Sequence, residues 1–167
     1  RKAWAYAQDQ YPTTHPIVAD IPDIPAATNN FDGITYAKGA SVLKQLVAWV
    51  GEDAFYQGVR LYFQRHANGA TSLDDLLTAL EEASGYDLAS WKDAWLLTTG
   101  PSKLSVTTTS DEDGKVTSLT LVQEGLARPH CLNISYWTSR GDALQCISKD
   151  RVRIEGRDLS LSVPEEF

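Results

Sequence analysis

Apolar positions along the chain repeat with two different periods. Through residue 100 the spacing is near 3.6, which predicts helices. Residues 1–10 read as the end of one. A second runs from about Ile34 to Val50, with Val42, Leu43, Leu46, Val47 and Val50 on one stripe and Gly51 as its stop. A third covers about Glu52 to Ala67, with Phe55, Val59, Tyr62 and Phe63 on its face, and Asn68-Gly69 ends it. Ser72 followed three residues later by Asp75 predicts a capping box. It opens a helix that buries Leu73, Leu76, Leu77 and Leu80 and ends at Gly85. The last helix opens at Asp87, carries Leu88, Trp91 and Trp95, and stops at Gly100-Pro101. Residues 12–30 hold Pro12, Pro16, Pro22 and Pro25, a density that predicts a long ordered connection without helix or central strand. Connections of that length are uncommon in compact domains and are often functional.

From Ser102 the period falls to 2. Six short strands are predicted around Leu104/Val106, Leu119/Leu121, Leu132/Ile134/Tyr136, Leu144/Cys146, Val152/Ile154 and Leu159/Leu161/Val163. Asp113-Gly114, Arg140-Gly141-Asp142 and Glu155-Gly156-Arg157-Asp158 supply turns. The expected architecture is therefore α+β: a helical domain over residues 1–100 and a small antiparallel β-sandwich over residues 101–167.

Composition narrows the function classes. Net charge is −7 with a pI near 4.9. Residues 1–100 carry 7 basic and 12 acidic side chains, and residues 101–167 carry 8 and 10. Neither half offers the dense basic face that nucleic acid requires. No apolar run approaches the ~20 residues that span a bilayer, so no membrane association is expected. Cys131 and Cys146 are too few for a disulfide scaffold. A reducing compartment is the default, although adjacent strands would let the two pair. The sequence contains no methionine, which predicts a fragment, a processed product or a trimmed piece of a longer protein.

The chain has no HExxH, CxxC, GxSxG or phosphate loop. His15, His66 and His130 have no second ligand at helical spacing, and each reads as structural or surface. Asp74-Asp75 and Glu81-Glu82 read as a solvated helix face. The most informative stretch is Phe31 to Val42. Gly33, Ala37, Gly39, Ala40 and Ser41 allow close approach to the backbone, and Tyr36 shares a stripe with Ala40, Leu43 and Val47. Tyr36 is thus expected to point inward. It is either a core tyrosine or a hydroxyl presented to a cleft as a protonated donor.

FDGITYAKGASVLKQL, residues 31–46, resembles the signature that follows the zinc site in the aminopeptidase N family of gluzincin metallopeptidases. Tyr36, Lys38, Gly39 and Ala40 match its Tyr-x-Lys-Gly-Ala directly, while Ala37 stands where the family often has Glu. THPIVADI, YFQRHANGATSLDDLLTALEEASGYDL and WLLTTGPSKLSV resemble the surrounding loop, the later helix pair and the exit into a sandwich domain. The wording is closest to the actinobacterial branch, which implies a cytoplasmic enzyme. The resemblance implies that residues 1–100 are the C-terminal part of a thermolysin-like catalytic domain. It implies zinc in the parent and peptide substrates, with Tyr36 donating to the tetrahedral oxyanion. The family's zinc ligands lie upstream of the tyrosine and are missing here. The isolated chain is therefore expected to bind no metal, to be inactive, and to self-associate through an exposed flank at Tyr36 and Leu43. Lys38 reads as a packing or surface residue. A non-catalytic protein-interaction module on the same scaffold is the alternative.

Overall fold

A computed structural model describes residues 2–165 and 167. The chain divides into two compact units between Pro101 and Ser102.

In the first unit, α1 (Lys2–Gln8) leads into the proline-rich connection. That connection contains a helix where none is expected, α2 (Ile24–Asn29). Pro25 lies in its first turn, where the missing N–H has no intrahelical partner to lose. The Asp23 carboxylate accepts the Ala26 N–H at 2.7 Å and caps it. A π-helical turn, Ile34–Lys38, then runs straight into α3 (Gly39–Val50). α3 buries Val42, Leu46, Trp49 and Val50, whereas Leu43, expected inside, is half exposed.

α4 (Glu52–Arg65) follows Gly51, whose φ of 92° breaks the helix direction. Phe55, Val59 and Tyr62 are half-buried, while Phe63 faces solvent against expectation. The one fully buried residue of α4 is Gly58, which lies directly against α5 (Leu73–Ser84). The predicted capping box on α5 is present: Asp75 accepts the Ser72 N–H at 2.7 Å and Ser72 Oγ accepts the Asp75 N–H at 3.3 Å. Gly85 ends α5 in the left-handed region, φ 72°. Leu88 N–H binds the Glu81 carboxylate at 2.8 Å, so the chain is still turning there. Hence α6 (Ala89–Leu96) starts later than Asp87, which instead accepts the Ala89 N–H at 2.8 Å. Trp91, Trp95 and Leu96 are buried.

The second unit has five strands among the described residues, not six: β1 (Lys103–Ser110), β2 (Val116–Glu124), β3 (His130–Arg140), β4 (Ala143–Ile154) and β5 (Asp158–Ser162). The segments around Cys146 and Val152 are one strand, because Ser148-Lys149-Asp150-Arg151 carries charge but no turn residue. The antiparallel sheets are β1-β2-β5 and β3-β4. Leu119, Leu121 and Ile154 form their shared core, with Leu132, Ile134, Val152, Leu159, Leu161 and Val163 packed on it. Gln123 and Arg128, both buried, tie β2 to the following loop. Gln123 Nε2 donates to the Arg128 and Gly156 carbonyls at 2.9 and 2.7 Å. Cys131 and Cys146 are unbonded: they pair across the ladder with Arg153 and Trp137, well apart.

Candidate active site

The π-helical turn is held at both ends by the last turn of α1. At its start, Asp32 Oδ1 accepts the N–H groups of Ile34 and Thr35, each at 2.9 Å. Asp32 Oδ2 receives His15 Nε2 at 2.8 Å and the Gln8 side-chain amide. Gln8 Oε1 in turn accepts the Gly33 N–H at 2.8 Å, and His15 Nδ1 donates to the Pro16 carbonyl at 2.8 Å. Partial burial raises the Asp32 carboxyl, but the Thr35 N–H, the His15 bond and charge, and the Ile34 N–H outweigh it. Asp32 therefore stays below the usual carboxylate value. Gly33 is required by this packing, since a Cβ there would lie 2.6 Å from Gln8 Oε1 and 2.9 Å from Trp4 Cε2.

At the far end of the turn, Lys38 is buried. Its ammonium lies 3.0 and 2.9 Å from the two oxygens of Asp9, also buried, and donates to the Thr98 carbonyl at 3.2 Å. Asp9 Oδ1 further accepts Thr14 Oγ1 and the Gly100 N–H, both at 2.9 Å. Sequence reasoning reads Lys38 as packing or surface and passes over Asp9. The 29 residues between them leave no local spacing that would betray the pair.

Between these anchors the Lys38 N–H reaches back five residues to the Gly33 carbonyl at 2.9 Å, and Gly39 does the same to Ile34. Ile34, Ala37 and Lys38 turn inward, and Tyr36 turns out. The expected inward tyrosine is thus corrected: Tyr36 is 54% exposed and stacks on Phe31, ring centroids 5.9 Å apart. It borders a groove of about 660 Å³ whose walls include Trp4, Ala40 and Ser41, with Lys2 and Lys44 also lining it. Ser41 Oγ donates to the Ala37 carbonyl at 2.8 Å, a helix-internal bond with no base beside it.

The remaining candidates have structural partners. His66 sits 3.9 Å from Asp75, and Asp74 binds Lys92 at 2.9 Å. Glu82 pairs with Arg65 at 2.8 Å. His130 is buried on β3, and burial followed by the Arg128 charge pushes its imidazole down to about 4. Among the described residues no three His, Cys, Asp or Glu side chains come together as a metal site. The zinc implied by the family resemblance therefore finds no ligand set in this chain. No described helix is long and apolar enough to cross a membrane.

A helical unit ending in a clamped Tyr-x-Lys-Gly-Ala turn, followed by an antiparallel sandwich, defines a class, and the comparisons name it. The peptidase family M1 domain matches residues 2–95, and the chain belongs to that family. Aminopeptidase N from Streptomyces lividans is 50% identical over 98% of this chain and 20% of its own length. Aminopeptidase N from Escherichia coli strain K12 is 34% identical over 74% of this chain and 14% of its own length. The chain thus spans a fifth or less of these relatives. The crystal structure of Legionella pneumophila aminopeptidase A in complex with aspartic acid aligns with a TM-score of 0.68 over 81% of this chain and 16% of that one. Its 20% identity makes this a likeness of fold.

Proposed function

We propose that these residues serve an M1 metallo-aminopeptidase that removes N-terminal amino acids from peptides in the cytoplasm. In that enzyme Tyr36 donates its phenolic proton as a hydrogen bond to the oxyanion of the tetrahedral intermediate. The observation that carries the reading is the outward Tyr36 hydroxyl on a turn fixed at both ends. A donor is useful in catalysis only when it is already aimed, because then no reorganisation opposes the reaction. Zinc is the cofactor that the resemblance implies for the parent, and no ligand for it is assigned to this chain.

The test is Tyr36→Phe in the full-length enzyme. Loss of one such donor is expected to lower kcat about 10²–10³-fold while metal content stays unchanged. An unaltered kcat refutes the role. The isolated chain with added zinc serves as the blank and should not hydrolyse an aminoacyl amide.

A second reading, a non-catalytic interaction module, draws on the exposed apolar residues Trp4, Phe31, Tyr36 and Leu43. The same residues make self-association of the isolated chain the expected behaviour. Metal-dependent turnover by the full-length protein decides between the two readings.

A further inference from the structure

We propose that the buried Asp9–Lys38 ion pair is a positioning device that sets the direction of Tyr36. The inference rests on the oxyanion reading above and assigns its geometry to residues that never touch the substrate.

Burying an ammonium and a carboxylate is costly, and an apolar pair of similar volume often serves stability as well or better. Here the pair is more than 90% buried on both sides and fully engaged. Asp9 receives Lys38, Thr14 and Gly100; Lys38 also holds the Thr98 carbonyl. Such a network specifies one arrangement of backbone. The arrangement it specifies is an uncommon one. A π-turn carries one residue more than the α-helix would in the same rise, and such turns occur mostly at functional sites. If Ile34–Lys38 relaxed to α-helix, one residue would have to leave the turn. The side chains before it would then swing by about 100° about the helix axis. Tyr36 would leave its place against Phe31 and the groove.

Lys38 is the last residue of the turn and Asp32–Gly33 its entry. Both ends are fastened to consecutive residues of one segment, Gln8 to Asp32 and Gly33, and Asp9 to Lys38. With both ends held, the extra residue cannot be expelled, and Tyr36 keeps its direction. Lys38 and Asp9 are therefore positioning residues, two positions and one network removed from the reacting atoms.

The experiment is a double-mutant cycle in the full-length enzyme: Lys38→Met and Asp9→Asn, each with and without Tyr36→Phe. Misplacing the donor should lower kcat by about 10–100-fold with KM changed less than about twofold. In the Tyr36→Phe background the same substitutions should lower kcat by less than about twofold, since there is no donor left to misplace. Hydrogen exchange read over residues 33–39 should accelerate in both single variants. Asp9→Asn keeps the acceptor for Gly100 and Thr14, so it carries the test if Lys38→Met fails to fold. Losses that multiply in the Tyr36→Phe background overturn the proposal and leave a structural pair. An unchanged kcat in Lys38→Met or Asp9→Asn, with Tyr36→Phe impaired, overturns it alone. A silent Tyr36→Phe removes the oxyanion reading and this proposal with it.

Discussion

Replacing Gly58 by Ala offers a test in which the usual sign reverses. In an exposed helix interior the change stabilises by about 1 kcal/mol, because glycine gives up more backbone freedom on folding. Gly58 is the buried residue of α4, and its neighbour is the backbone of α5. A Cβ there would lie 2.8 Å from Leu80 Cδ2, 2.9 Å from the Ala79 carbonyl oxygen and 2.9 Å from Leu80 Cα. Comfortable carbon contacts begin near ~3.5 Å. The helices must therefore separate by roughly 0.6 Å, and at such gaps apolar contacts along the seam lose about a quarter of their attraction. A rotamer change at Leu80 relieves only one of the three contacts; the other two are backbone. Overpacking of this kind costs about 2–3 kcal/mol, and the gain in helix propensity returns about 1. The net expectation is a loss of about 1–2 kcal/mol, or a Tm lower by roughly 5–15 °C for a unit of this size. Thermal unfolding followed by far-UV circular dichroism measures it. A Tm equal to or above that of the parent sequence would refute the close approach of α4 and α5.

Two further outcomes follow from single side chains. His130 is held neutral in the folded state at about 4, against about 6.5 when unfolded. Below about pH 6.5 the unfolded chain binds the extra proton, so this stability is complete above that value and is lost as pH falls through about 4. The full loss is at most about 3 kcal/mol. Urea midpoints monitored at Trp137, in wild type and His130→Gln, should diverge between about pH 7 and pH 4; parallel profiles would contradict the assignment. Ser72→Ala removes the acceptor of the Asp75 N–H and should cost about 1 kcal/mol, with Ser72→Gly recovering most of it. Equal urea midpoints for all three would show that the capping box contributes nothing.

Where structure was legible in the sequence, cause and effect lie close together along the chain. Ser72 and Asp75 cap α5 three residues apart, and Gly85 ends it, because each acts on backbone within one turn. The change of period at Ser102 marks the change from helices to strands, since alternation is a property of each strand alone. Pro25 misled because proline excludes helix interiors and yet suits a first turn. The strand count misled because a run of charged residues interrupts hydrophobic alternation without turning the chain at β4. The stripe of Tyr36, Ala40 and Leu43 exists, but it faces out; α3 also carries Val42, Leu46, Trp49 and Val50, and those are buried. A helix with two apolar stripes does not announce from its own sequence which one packs.

The deepest departure is at the candidate site, where ordinary preferences are exchanged. Lysine is among the residues least often buried, and tyrosine is usually at least partly so. In the π-turn Lys38 is 7% exposed and Tyr36 is 54% exposed. A helical wheel at 100° per residue has no way to produce that exchange, because the turn holds one residue more than the wheel assumes. Nor could composition supply it: the partners that make a buried lysine tolerable are Asp9 and the Thr98 carbonyl, distant along the chain on opposite sides. Local rules fail here because long-range hydrogen bonds override them, and such failures concentrate where a protein holds a group for use. The same exchange explains why the motif needs both residues. The tyrosine is outside, where a reacting group can meet it, because the lysine two positions on is inside and held.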